Sequence, residues 1–446
     1  MRWSSFGTLP QTSVVLQRAF SQHRGKEMDA VLPDIMLTRY PKRLYRSIQL
    51  LLLLLLLSGS AQRHGGHKAI RGGHKARCGT WQQDYTRMHG EIMSSLNSSS
   101  RLFIYKSVNS GLADRLVGLL TGFWSAVLSR RAFVLTDWWT FRDVHVRLSD
   151  ALENFHINLT LPDHLEQLIR TDNASYTYFD YVNAEEPLLS IKRETNKTRG
   201  DVQTLFSNSI PLIVFESNRG NIYNLLKSRA DHFPGMAPED GVFCAFHYLF
   251  RPRPEVLEMT PRPILHTLHD ESLVKIGLQI RLGDRGFSFE TASSVEGNPY
   301  VGKFFDCAAD IARRVTTSYN DSRRVVTFLI SDSLSLKQSA VQKYGGAGKN
   351  LFIDTTHKPM HVGISNDVND LEKHGPLAMQ TALLDVLAFS LCDFFVISHD
   401  SGIGKLGALL SPFTHQDRVF VTDENGCHGP VTDSQMASSN QGARRD

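Results

Sequence analysis

Apolar and polar positions along the chain follow two rhythms, and their succession predicts a strand followed by a helix, again and again. LFIYKSV (102–108) is a continuous apolar run of strand length. Residues 112–129 then set Leu112, Leu116, Leu119, Leu120, Phe123 and Val127 at helical spacing, and AFVLT (132–136) reads as the next strand. The stretch 140–205 keeps neither period and reads as loops and short surface helices. PLIVFES (211–217) resumes the pattern, with helices expected around 221–229 and 240–250. Pro252, Pro254, Pro261 and Pro263 then crowd together, which disfavours continuous helix and suits a connection between domains. Beyond them strands are expected at 274–281, 325–331, 350–353, 393–398 and 418–422, and helices at 300–317, 334–344, 376–391 and 402–410. Alternation of this kind implies parallel sheets covered on both faces. The predicted fold class is therefore α/β, two Rossmann-like domains facing a cleft, over 101–255 and 270–430.

The chain ahead of these domains has a different texture. Residues 1–46 carry eight Lys/Arg against three Asp/Glu and end on Arg39, Lys42, Arg43 and Arg46, a basic N-terminal region expected on the cytosolic side. The unbroken run Leu50 to Leu57 follows, inside a short apolar segment at 47–61. It is shorter than the ~20 residues of a usual bilayer span. Two readings fit it: a signal-anchor, or a cleaved signal peptide starting at Met28 or Met36, with Ser58-Gly59-Ser60-Ala61 as the small residues behind the apolar run. Both deliver the rest of the chain to the secretory pathway. Residues 62–100 contain the tandem GGHKAIRGGHKA (65–76) and are expected to be a flexible stem, and 431–446 a disordered tail.

Composition changes this picture little. The 446 residues are 41% hydrophobic and 21% charged with net charge +4, and no basic stripe beyond the N-terminal region points to nucleic acid. Asn-x-Ser/Thr acceptors at Asn97, Asn158, Asn173, Asn196 and Asn320 agree with a lumenal address. Five cysteines (Cys78, Cys244, Cys307, Cys392 and Cys427) can supply two disulfides and one spare thiol, with Cys392 the buried one; their spacing suggests no zinc site. The oligomeric state stays open, a homodimer included.

Open parallel sheets collect ligands beyond the carboxyl ends of their strands. Arg281 closes VKIGLQI and precedes Leu282-Gly283-Asp284. A guanidinium there suits a pyrophosphate, or an ion pair with Asp284. Ser331, Asp332 and Ser333 end VVTFLIS, where they either cap the next helix or touch a nucleoside. Ser398-His399-Asp400-Ser401-Gly402 opens a helix rich in small residues, whose free amides suit phosphate. A Ser/His/Asp hydrolase uses the same residue types, but adjacent positions rarely converge on one point and the chain has no GxSxG elbow. Gly111-Leu112-Ala113-Asp114-Arg115 sets a charged pair at the first strand-to-helix turn. There is no Asp-x-Asp metal handle.

Together these segments resemble the plant xyloglucan α-1,2-fucosyltransferases and their algal relatives. SGLADRLVGLLTGFWSAVLSRRAFVLTDW is similar to that family's opening segment, and FCAFHYLFRPRPEV to its Arg-Tyr-Leu-Phe-His-Pro segment, with His247 and Arg251 at the basic positions. IGLQIRLGD resembles Gly-Ile-Gln-Ile-Arg; FLISDS, AMQTALLDVLAFSLCDFFVIS, HDSGIGKLGALLS and VTDENGCHGP resemble its later motifs in order. The resemblance implies a GT-B fold, a type II Golgi membrane protein with its catalytic part in the lumen, GDP-fucose as donor, a glycan acceptor, inversion, and no metal or other cofactor. It implies Arg281, with Gln279, Ser331, Asp332, Ser398, Asp400, Ser401 and Gly402, on the nucleotide sugar. Arg115 and Arg251 fall on the acceptor side, and Asp114, His247 and Asp284 are the candidates to accept the acceptor's proton. Two departures stand out: Asp114 replaces the family's Asn, and Asp400-Ser401-Gly402-Ile403-Gly404 stands where Ser-Thr-Phe-Gly-Tyr is usual. They leave two further readings, a silent glycan-binding member of the fold and a transferase of another nucleotide sugar.

Overall fold

The computed structural model describes residues 77–97, 99–108, 110–136, 139–141, 144–170, 177–181, 211–218, 220–282, 299–317, 322–345, 351–353, 368–399, 401–412 and 418–431. The basic N-terminal region, the apolar segment, the tandem repeat, the tail beyond Val431, and Asp284, Asp400, Asn173, Asn196 and Asn320 lie outside them. Among the described residues no helix is long and apolar enough to cross a membrane.

In the first half, α1 (Trp81–Ser94) leads to β1 (Leu102–Lys106), α2 (Leu112–Leu128) and β2 (Ala132–Leu135). A short hairpin follows, β3 (Trp139–Phe141) and β4 (Val144–Val146), then β5 (Leu152–Asn154), α3 (Asp163–Arg170), β6 (Thr177–Tyr181) and β7 (Leu212–Ser217). Helices α4 (Ile222–Lys227) and α5 (Gly241–Leu249) and strand β8 (Phe250–Pro252) complete it. The sheet runs β2-β1-β7-β6, all parallel. Helix α2 is apolar around most of its circumference, with Leu116, Leu119, Leu120, Phe123 and Trp124 wholly buried, because it is covered on several sides. It packs on β1, β2 and β7 and also meets α4 and α5.

The proline-rich joint forms two short helices, α6 (Pro254–Glu258) and α7 (Arg262–His269), each with proline in its first turn, where no N–H is needed. The second half follows as β9 (Leu273–Ile280), α8 (Pro299–Thr317), β10 (Arg324–Ser331), α9 (Leu334–Tyr344), β11 (Leu351–Ile353), α10 (Val368–Ser390), β12 (Phe394–Ser398), α11 (Gly402–Leu409), β13 (Val419–Asp423) and β14 (Gly426–His428). Its sheet runs β11-β10-β9-β12-β13-β14, parallel except for the last strand. All eight residues of the central β9 are buried, as a strand covered on both faces requires.

Three features differ from the sequence-based expectation. The segment read as flexible stem contains α1, which buries Trp81, Tyr85 and His89, spaced one helical turn apart, on the first half. The stretch read as loops and short helices supplies β6, parallel to β7, with Phe179 fully buried, as well as the β3–β4 hairpin. Strand β14 adds an antiparallel edge. Disulfides join Cys78 to Cys244 and Cys307 to Cys427, and Cys392 is a buried free thiol.

The halves share apolar core. Ala378, Met379, Leu383 and Leu384 of α10, with Leu406 of α11, join the same buried cluster as Leu116, Leu120 and Phe123 of α2. Gln380 Nε2 of α10 also donates to the Asp150 carbonyl of the first half at 2.7 Å.

Candidate functional site

Strands β9, β10 and β12 end side by side, with Ser331 in register with Ile280 and Ile397 with Gln279. Arg281 leaves the sheet at that edge, half-buried. Its backbone is held from the neighbouring strand: the Arg281 N–H donates to Ser398 Oγ at 2.8 Å, and that hydroxyl donates to the Gln279 carbonyl at 3.3 Å. Gln279 Oε1 accepts from the Ser398 N–H at 3.3 Å. Gln279 is 4% exposed and Ser398 3%, so these two buried side chains frame Arg281.

Asp332 plays a related part. Its Oδ1 accepts from the N–H of Leu282 at 2.9 Å, tying the chain after Arg281 to the end of β10. Helix capping falls to neither Ser331 nor Asp332: Ser333 Oγ accepts from the Leu336 N–H at the head of α9, while Ser331 Oγ accepts from the Ser333 N–H at 3.2 Å.

Helix α11 begins at the same edge. Ser401 is its cap, with Oγ accepting from the Gly404 N–H at 3.2 Å and its carbonyl from the Lys405 N–H at 3.1 Å. The Ser401 N–H is taken by the Ser398 carbonyl at 3.0 Å. It therefore cannot serve a phosphate, and the helix head offers the N–H groups of Gly402 and Ile403, which the helix's own ladder leaves without acceptors. Glycine is needed at 404 because a Cβ there would lie 2.7 Å from Gln279 Oε1, so the first turn of α11 rests directly on β9.

Across from α11 stands the first turn of α2. A Cβ at Gly402 would lie 3.2 Å from the Ala113 Cβ and 3.3 Å from Asp114 Oδ1, so the two helices approach as closely as a glycine allows. The other carboxylate oxygen, Asp114 Oδ2, accepts from Ser110 Oγ at 2.9 Å. A pocket of about 60 Å³ opens beside this contact, lined by Asp114 and Val117 of α2, Tyr223 of α4, Glu239 before α5, and Gly402 and Lys405 of α11. Lys405 is 5% exposed. Sequence reasoning passed over Tyr223, Glu239 and Lys405; the one signal was a lysine inside the small, apolar run GIGKLGALL.

Arg115 departs from its expected acceptor-side place. It is 1% exposed, donating from Nε to the Ser110 carbonyl at 2.8 Å and from a terminal nitrogen to Ser107 Oγ at 2.6 Å. Burial pulls its pKa down to about 9. It clamps the turn between β1 and α2 and is not presented to an acceptor. His247 lies against Phe243 and Phe246 in α5, and Arg251 stacks over the Phe155 ring at 3.2 Å from its centroid. Neither lines the pocket with Asp114. Asn97 and Asn158 are both exposed. Among the described residues no three His, Cys, Asp or Glu side chains gather as a metal-binding group.

The fold resembles that of Arabidopsis thaliana FUT1, solved as a variant in complex with GDP, at a TM-score of 0.50 and 14% identity, over 83% of this chain and 87% of that one. Fucosyltransferase NodZ from Bradyrhizobium aligns over 74% of this chain and 98% of its own at 15% identity and a TM-score of 0.42. POFUT1 in its apo form aligns over 71% and 95% at 10% identity and 0.34. No family model and no curated protein sequence matches the chain. The FUT1 likeness shows the fold, a mixed α/β architecture shared with a fucosyltransferase.

Proposed function

We propose that this chain is a glycosyltransferase that moves fucose from GDP-fucose to a glycan, with inversion, on the lumenal side of the Golgi membrane. The observation that carries the reading is the junction of Arg281 with the head of α11, at the carboxyl ends of the adjacent parallel strands β9 and β12. A guanidinium and two helix-head amides there supply the positive potential that a departing diphosphate needs. The order of sequence segments resembling xyloglucan α-1,2-fucosyltransferases supports the donor, as does the fold shared with the GDP-bound FUT1 variant.

In this reading Arg281 meets the diphosphate with two parallel N–H groups, and Gly402 and Ile403 donate from the helix. Gln279, Ser398 and Asp332 act through the backbone, holding Arg281 and Leu282 in place. The charge that develops on GDP as the bond to the sugar breaks is then met by groups already oriented before reaction. The α-1,2 linkage and a xyloglucan acceptor belong to the resemblance and form the first acceptor to try.

Arg281→Ala is expected to lower transfer by ~10²–10³-fold and to weaken GDP binding, with the circular dichroism spectrum unchanged; Arg281→Lys should recover only part, since an ammonium cannot pair bidentately. Calorimetry with GDP and GDP release from GDP-fucose, UDP-sugars and GDP-mannose, with and without chelator, read this out. Near-normal rates in Arg281→Ala, or GDP uptake that needs manganese, would end the assignment.

A further inference from the structure

The seam between α2 and α11 brings one acidic side chain of the first half against the element that the reading above gives to the diphosphate. Asp114 is held by Ser110. Ser110 Oγ donates to Oδ2 at 2.9 Å, while Oδ1 is turned toward Gly402, where even a methyl group would touch it at 3.3 Å. The two positions noted as departures in the sequence therefore meet in space, with the Asp114 carboxylate packed beside the bare backbone of Gly402.

We propose that Asp114 is the general base that takes the proton of the acceptor hydroxyl, working from the first half while Arg281 and α11 hold the leaving group from the second. This rests on the donor reading. Among the described residues, the other charged and titratable groups lining the pocket are Lys405 of α11, Glu239 before α5 and Tyr223 of α4. Arg115, next in sequence, is turned away into residues 107–110. Of the other base candidates, His247 packs against Phe243 and Phe246.

Physical chemistry favours a chemical role for Asp114 over a binding one. A carboxylate beside a diphosphate repels it, so the side chain lowers donor affinity by its charge. An acid–base group must stand near the reacting centre whatever that costs in binding. The step balances: the acceptor oxygen forms its bond to the sugar C1 as the bond from C1 to the β-phosphate oxygen breaks. GDP leaves with that electron pair, the hydroxyl proton passes to Asp114 Oδ1, and it is later lost to water.

The test uses the full chain and its Asp114→Asn and Asp114→Ala variants. GDP binding is measured by calorimetry, and GDP release from GDP-fucose with a xyloglucan oligosaccharide or water as acceptor. Asp114→Asn keeps the Ser110 contact and should bind GDP as tightly as the parent or tighter. Its release rate should fall by ~10²-fold or more. Formate should restore part of the rate to Asp114→Ala. A rate for Asp114→Asn within about threefold of the parent, well short of the usual acid–base contribution, overturns the proposal and leaves the donor reading standing. So does a fall matched by an equal loss of GDP affinity. A parent protein that neither binds GDP nor releases it from GDP-fucose overturns the donor reading, and this proposal with it.

Discussion

His89, in α1, is 2% exposed, and its Nε2 donates to the Phe133 carbonyl at 3.0 Å. Burial holds its pKa below the ordinary histidine value, with that hydrogen bond opposing. The folded state thus binds fewer protons than the unfolded one as pH falls through the ordinary histidine range near 6.5. Stability is therefore full above that range and is lost on acidification toward the depressed folded pKa. His89→Gln should flatten this acid limb in a series of thermal melts, while unchanged acid sensitivity would show that other groups set it. At the same scale, Arg281 was legible because a strand end followed by a charged residue can be read locally. Tyr223, Glu239 and Lys405 were not: they belong to three separate elements, and only the packing of α2, α4, α5 and α11 gathers them into one pocket.

Helix α11 is short, so its cap matters. Removing the Ser401 hydroxyl in Ser401→Ala takes away the acceptor for the Gly404 N–H and should cost about 1 kcal/mol. Because the helix head is also the proposed phosphate site, the same change should raise the Kd for GDP by a few-fold, as calorimetry would show; a stability loss with unaltered GDP binding would separate the helix from the donor. The elements missed from sequence share a cause. The β6 run TYFDY is brief and sits among polar and sequon-rich stretches, yet it pairs because β7 presents an unpaired edge. Trp81, Tyr85 and His89 had helical spacing, but the Gly-rich repeat before them drew the whole region into a stem reading.

At the scale of the molecule, an arginine ahead of α1 joins both halves. Arg77 pairs with Asp240 of the first half, donates to the Ser411 carbonyl just past α11 at 3.1 Å, and stacks over Phe243 at 4.5 Å. The neighbouring Cys78–Cys244 disulfide anchors it. Burial raises the Asp240 pKa even with Arg77 beside it. Arg77→Ala should therefore cost about 3 kcal/mol, by leaving a buried carboxylate uncompensated, and Arg77→Ala with Asp240→Asn should regain much of it. Urea unfolding of the single and double variants checks this, and equal losses in both would show that the charge pair is not the cause.

The alternation of apolar strand and helix, read along one dimension, determined the α/β halves, the strand-end position of Arg281 and the proline joint, because each depends on neighbours a few residues apart. Tertiary structure alone decided that Asp114 meets Gly402 and that Asp114, Tyr223, Glu239 and Lys405 line one pocket. Those facts depend on distances between residues as many as 288 positions apart in number, from 114 to 402. Such distances are set when the shared core closes around α2, α10 and α11, and no local periodicity encodes them.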